Sequence, residues 1–211
     1  RVSSSDKEVR AAPRMFRHNG TYIVTGGLGG LGLYLAEWMV VHRAVRAVIL
    51  LGRSSPSEDV QRRLTQLEKS YGARILPIPC DVASRDSVQH ALDVIKQEGL
   101  PPVRGIFHAA MQLEPQQMEH LEQEKLSALL RVKMFGAWNL HCLTISMPID
   151  FFISFASVAG VFGDHGQAPY CASNVFLDAF GSYRQSLGLP GLSIDLGAVS
   201  DVGMLVKSLK M

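Results

Sequence analysis

The sequence predicts an α/β fold, a doubly wound parallel sheet with helices on both faces. Three observations carry this expectation. Apolar, β-branched runs alternate with amphipathic segments along the chain. The runs are continuous rather than alternating, as strands buried on both faces require. A glycine-dense turn joins the first run directly to the first amphipathic segment. In order, strands fall near residues 21–25, 46–51, 74–79, 103–107, 150–155 and 191–195, and helices near 30–43, 58–71, 84–98, 122–147 and 168–187. Residues 1–14, with Ser3 to Ser5 and the charges from Asp6 to Arg10, read as a linker or tail. Residues 15–211 read as one catalytic domain. Its end, Gly203 to Met211, comes soon after the sixth strand. Doubly wound folds often continue there with a lid helix and a further strand, so the C-terminus is consistent with truncation.

Residues 21–32 read Thr21-Tyr22-Ile23-Val24-Thr25-Gly26-Gly27-Leu28-Gly29-Gly30-Leu31-Gly32, with the amphipathic stretch from Leu33 to His42 following at once. This is the layout of a dinucleotide-binding, Rossmann-like strand–turn–helix unit. Gly26 allows the tight turn, Gly30 lets the backbone approach a pyrophosphate, and Gly32 lets the helix pack closely. The helix N-terminus offers free N–H groups and partial positive charge to phosphates. The expected cofactor contacts here are Thr25, Gly26, Leu28, Gly29, Gly30, Leu31 and Gly32. The spacing Thr25-Gly26-x-x-x-Gly30-x-Gly32 resembles the short-chain dehydrogenase/reductase form of the motif.

The second strand ends Val48-Ile49-Leu50-Leu51-Gly52-Arg53-Ser54. An enzyme preferring NAD usually places an acid about 20 residues past the glycines to bond the ribose 2′-OH. Counting from Gly32 lands on Gly52, and no acid lies between 47 and 57. Arg53 and Ser54 instead suit a 2′-phosphate, which makes NADPH the expected cofactor. A solvated surface arginine is the bland alternative. The third strand closes with Cys80-Asp81-Val82 and the fourth with His108-Ala109-Ala110, both at the carboxyl edge where open α/β sheets bind ligands. Asp81 would accept a hydrogen bond from an adenine amino group, or else cap a helix. The two alanines would leave room for the cofactor, or else only pack.

Lys133, Ser157, Tyr170 and Asn174 form the candidate catalytic set. Tyr170 and Asn174 are four apart and share a face if their segment is helical. From Lys133 to Met147 a helix descends roughly 21 Å. From Ile149 to Phe155 a strand returns roughly 20 Å. Lys133 and Ser157 therefore finish at one level, near the carboxyl edge that would hold the cofactor.

The stretches Ser154-Phe155-Ala156-Ser157-Val158-Ala159-Gly160 and Gly166-Gln167-Ala168-Pro169-Tyr170-Cys171-Ala172-Ser173-Asn174 resemble the ketoreductase domain of polyketide synthases. In most short-chain reductases a lysine follows the tyrosine by four. In the synthase domains that place holds asparagine and the lysine comes from the preceding long helix, as Asn174 and Lys133 do here. The likeness runs from about Thr21 to Met204, and around Lys133 and Tyr170 it is closest to fungal iterative synthases. The resemblance implies NADPH-dependent reduction of a β-ketoacyl thioester carried on the phosphopantetheine of an acyl carrier protein, beside neighbouring synthase domains. A phenol with an ordinary pKa near ~10 donates a proton poorly until a nearby cation stabilises its anion. Lys133, beside the ribose, would supply that charge to Tyr170 as general acid. Ser157 would hold the substrate carbonyl, and Asn174 would orient the lysine or a water.

Bacterial domains of one stereochemical type carry Leu-Asp-Asp where this chain reads Leu113-Glu114-Pro115. The opposite type carries tryptophan at the place of Phe162. The hydroxyl stereochemistry therefore stays open. The family also often has a cofactor-free reductase half upstream, whereas about 20 residues precede the first strand here. Two other readings compete, a structural pseudo-reductase and a free-standing short-chain reductase or epimerase. The retained catalytic set speaks against the first, and the Lys133/Asn174 exchange against the second.

The composition narrows the classes further. The 211 residues are 47% hydrophobic and 19% charged with net charge +2, a globular balance that favours neither nucleic acid nor membrane as partner. The most apolar region, Met39 to Leu51, is interrupted by His42, Arg43 and Arg46. No signal peptide opens the sequence. Cys80, Cys142 and Cys171 form no CxxC pair and point to free thiols in a reducing, cytoplasmic setting. The seven histidines show no metal-ligand spacing.

Overall fold

The computed structural model describes residues 15–114 and 121–197. The tail read over 1–14, residues 115–120 and the C-terminal segment from 198 lie outside the described residues. Six strands form one sheet: β1 (Thr21–Thr25), β2 (Ala47–Gly52), β3 (Arg74–Pro79), β4 (Val103–His108), β5 (Phe151–Ser157) and β6 (Leu192–Leu196). Their order is β3-β2-β1-β4-β5-β6, and every pairing is parallel. The helices between them are α1 (Gly30–Arg43), α2 (Glu58–Tyr71), α3 (Arg85–Gln97), α4 (Gln123–Thr144), α5 (Ala159–Phe162) and α6 (Ala168–Ser186).

Strand alternation sorts the core onto two faces. Tyr22, Val24, Val48 and Leu50 pack with Ala36 and Met39 of α1 and Leu64 of α2. Ile23, Ile49, Leu51 and Ile106 pack with Val88 of α3, Leu140 of α4 and Leu177 of α6. The expected doubly wound sheet, covered on both faces, is the observed architecture. Phe16 also joins the first face, edge-on to Tyr22 and Phe151.

Two elements depart from expectation. Helix α4 stops at Thr144 rather than 147, because Pro148 disfavours helical geometry in the residue before it. Helix α5, four residues long, went unread because one turn is too short to show a period. Strand β3 tolerates Pro77 and Pro79 because it lies at the sheet edge, where a missing donor costs little.

Candidate active site

Strand β1 is fully buried up to Thr25, and the chain then turns at Gly26 with φ of +64°. A side chain there would be strained and would meet the Ala109 carbonyl at 2.9 Å. At Gly32 an added Cβ would lie 2.3 Å from the Gly26 carbonyl oxygen, so this glycine seats the helix on its own turn. Helix α1 begins at Gly30 with no side-chain cap and no acid in its first turn. The Leu33 N–H bonds to the Gly29 carbonyl, so the N–H groups of Gly30, Leu31 and Gly32 precede the helical ladder. They face a cleft of about 530 Å³ at the carboxyl edge of the sheet.

Gly26, Leu28, Gly29, Gly30, Leu31 and Gly32 form one wall of this cleft. Arg53 and Ser54, both exposed, form its outer end. Cys80, Asp81 and Val82 border it from β3, and Ala109 and Ala110 from β4. The cleft also takes in Met111, and Leu51, Gly52 and Val132, which sequence reasoning missed. Val132 was within reach, since it adjoins Lys133 on α4. The helix-cap alternative for Asp81 is displaced, because Ser84 caps α3 by accepting from the Ser87 N–H. Asp81 instead accepts from the Ala83 N–H in a local turn.

Thr25 and His108, expected as cofactor contacts, lie beneath the floor rather than in the lining. Both are buried and sit side by side at the ends of β1 and β4. Thr25 Oγ1 accepts from the Ala109 and Ala110 N–H groups at 3.1 Å each. It also lies 2.8 Å from His108 Nδ1, while His108 Nε2 lies 3.0 Å from the Lys133 carbonyl oxygen. A carbonyl only accepts, so Nε2 carries the proton and Nδ1 accepts from the Thr25 hydroxyl. Burial pushes the imidazole down to about 4, so the ring is neutral at physiological pH.

The candidate catalytic residues gather one strand over, at the end of β5. Lys133 is 4% exposed. Its Nζ donates to the Phe155 carbonyl at 2.7 Å and to Asn174 Oδ1 at 2.6 Å, and lies 5.2 Å from the centroid of the Tyr170 ring. Asn174 is fully buried, and its Nδ2 donates back to the Tyr170 carbonyl at 2.8 Å, one turn earlier on α6. Burial lowers the Lys133 ammonium to about 8, opposed by the negative charges of Asp178 and Asp195. Ser157 closes β5 at 9% exposure, its Oγ accepting from the Ala159 N–H at 3.2 Å. Tyr170, in the first turn of α6, is half-buried. The short helix α5 spans the gap between Ser157 and Tyr170 and holds Val161 and Phe162 at 64% and 84% exposure. Among the described residues no group of His, Cys, Asp and Glu is placed to hold a metal, and no helix is long and apolar enough to cross a membrane.

A family model described as the KR domain matches residues 20–201. The highly reducing polyketide synthase tstA of Talaromyces stipitatus is 40% identical over 210 residues, 97% of this chain and 8% of its own length. The highly reducing polyketide synthase phiA of a Fungal sp. is 38% identical over 208 residues, 99% of this chain and 8% of its own length. The chain therefore spans under a tenth of these curated relatives. Among solved structures, a ketoreductase domain from the bacillaene assembly line superposes with a TM-score of 0.81 at 36% identity, covering 88% of this chain and 45% of that one. An NADPH-dependent 3-quinuclidinone reductase from Rhodotorula rubra, at 20% identity, 0.78 TM-score and coverage of 90% and 73%, shares the fold.

Proposed function

The chain belongs to the KR domain family, and from that premise we propose that it reduces the β-keto group of an acyl thioester to a β-hydroxyl, using NADPH and an acyl carrier protein as donor of the chain. The observation that carries this reading is the junction of Lys133, Asn174 and Tyr170 beside a cleft shaped for a dinucleotide.

The residues present fit the cofactor. A Cβ at Gly26 or Gly32 would collide with main chain, so the turn keeps open a cradle beside the N–H groups of α1. The glycine turn would hold the pyrophosphate, Arg53 and Ser54 the 2′-phosphate, Asp81 the adenine, and Lys133 the ribose. When bound, NADPH supplies hydride to the carbonyl carbon. Tyr170 donates the proton to the carbonyl oxygen, and Ser157 hydrogen-bonds that oxygen as charge develops on it. Lys133 stabilises the phenolate left behind, and Asn174 holds the ammonium toward it. Exposed Met111, Val161 and Phe162 give the mouth an apolar rim suited to an acyl chain. The same reading sets the domain among other catalytic domains of a cytoplasmic synthase.

The test compares one β-ketoacyl group on a carrier protein and on a small thiol. Tethering raises effective concentration, so a high KM for the free thioester and a much larger kcat/KM for the carrier-bound form are expected. Equal efficiency on both would remove carrier delivery, and no reduction of either would remove the activity. Cofactor choice has its own test. Losing a charge-assisted contact weakens binding by roughly 10- to 100-fold, so Arg53→Ala should raise the Kd for NADPH by about that factor and leave NADH nearly unchanged. Equal losses for the two would mean that Arg53 does not read the 2′-phosphate.

A further inference from the structure

His108 belongs neither to the lining of the cleft nor to the group that would touch substrate, yet it is the side chain through which three elements meet. Its Nδ1 reaches Thr25 on β1, its Nε2 reaches the Lys133 carbonyl on α4, and its own main chain ends β4. The bond to α4 falls on the residue whose side chain is pinned on the far side, at Phe155 and Asn174. One turn along, an added Cβ at Gly136 would come within 2.9 Å of both His108 Cε1 and Val82 Cγ2. The close approach of α4 to β4 at this height therefore depends on a missing side chain and on the ring that fills the space. A second tether, from Asn139 Nδ2 to the Val82 carbonyl at 3.0 Å, fixes the helix to the loop after β3.

We infer that His108 is a positioning residue, whose neutral ring sets the height of α4 against the sheet and thereby the place of the Lys133 ammonium. This rests on the reading of Lys133 as the group that supports proton donation. The lysine must meet two acceptors at 2.6–2.7 Å while staying over the Tyr170 ring. A displacement of about 1 Å in such an arrangement can cost on the order of 100-fold in rate. A ring bonded at both nitrogens resists that displacement in a way that packing alone does not.

The two nitrogens can be removed separately. In His108→Asn the amide reaches the place of Nδ1, keeping an acceptor for Thr25 and losing the bond to Lys133. In His108→Gln the amide nitrogen lies the same number of bonds from Cβ as Nε2, restoring a donor to the Lys133 carbonyl. Expected for Asn is a fall in kcat of about 10- to 100-fold together with a weaker NADPH Kd, as the Lys133 ammonium leaves its place beside the ribose; Gln should recover most of both losses. Gly136→Ala, which displaces α4 with His108 intact, should lower kcat in the same way.

The readout independent of turnover is the titration of Lys133 by NMR of isotope-labelled lysine. It should move up toward 10.5 in His108→Asn, as the ammonium gains water, and return in His108→Gln. Tyr170 and Asp178 on α6 and Asp195 on β6, the other titratable groups facing Lys133, stay in place in all three variants. Equal kcat in the Asn and Gln variants, or a Lys133 titration that follows neither, would overturn the inference even if both variants melted lower. A wild-type protein inactive on all thioesters, with Lys133 still responding to His108→Asn, would sink the proposed function and leave the positioning role standing.

Discussion

Replacing Tyr170 with phenylalanine is expected to lower kcat by roughly 100- to 10,000-fold, the range for a lost general acid. NADPH affinity and melting temperature should hardly change. The substitution is unusually clean at this position. The ring is what approaches the Lys133 ammonium, at 5.2 Å, and the main-chain carbonyl is what accepts from Asn174. Phenylalanine keeps both. Losing the phenolic oxygen disturbs neither contact. A loss confined to kcat is the signature of an interaction made in the transition state. Steady-state kinetics on a carrier-bound β-ketoacyl thioester, with cofactor binding followed by fluorescence, separates the two quantities. A phenylalanine variant within a few-fold of wild type would remove Tyr170 from the proton path.

What the sequence made legible follows from how these elements are buried. Val48-Ile49-Leu50-Leu51 reads as a strand because both faces are covered, leaving no position where a polar residue is tolerated. The level of Lys133 was also readable, since helical rise and strand rise are fixed. The shortening of α4 moved its end without moving the contact, and the lysine meets Phe155, two residues from Ser157.

The roles of Thr25 and His108 were not readable in the same way. Both close a strand at the ligand-binding edge, which made them look like cofactor contacts. Their facing is set by a period of two from Ile23 and Ile106, and those residues point toward α3, α4 and α6. Only the assignment of helices to faces reveals that His108 reaches α4, with Thr25 bonded to it from β1. Gly136 was silent for a related reason. A glycine inside a helix reads as a weakness until the ring it accommodates is known.

Replacing Lys133 with alanine should be more damaging than the tyrosine change, because it acts on turnover and on cofactor binding together. The Phe155 carbonyl and Asn174 Oδ1 lose their donor, the ribose loses its expected partner, and Tyr170 loses the cation that supports its anion. A fall in kcat of at least 100-fold with a weaker NADPH Kd is expected, on the scale of a lost acid–base or electrostatic group. The pH profile supplies a sharper test. With its folded value lowered from 10.5 to about 8, the ammonium is lost as pH rises through about 8, and kcat/KM of the wild type should fall there. Unfolding would not imitate this limb. Between about 8 and 10.5 the unfolded chain holds a proton at this lysine that the folded chain has released, so its contribution to stability rises with pH across that window. Activity should therefore fall above pH 8 while this lysine's own contribution to stability rises, and the residual rate of Lys133→Ala should lack the limb. If the limb persists unchanged in that variant, another group sets it, and Lys133 does not support the proton donor.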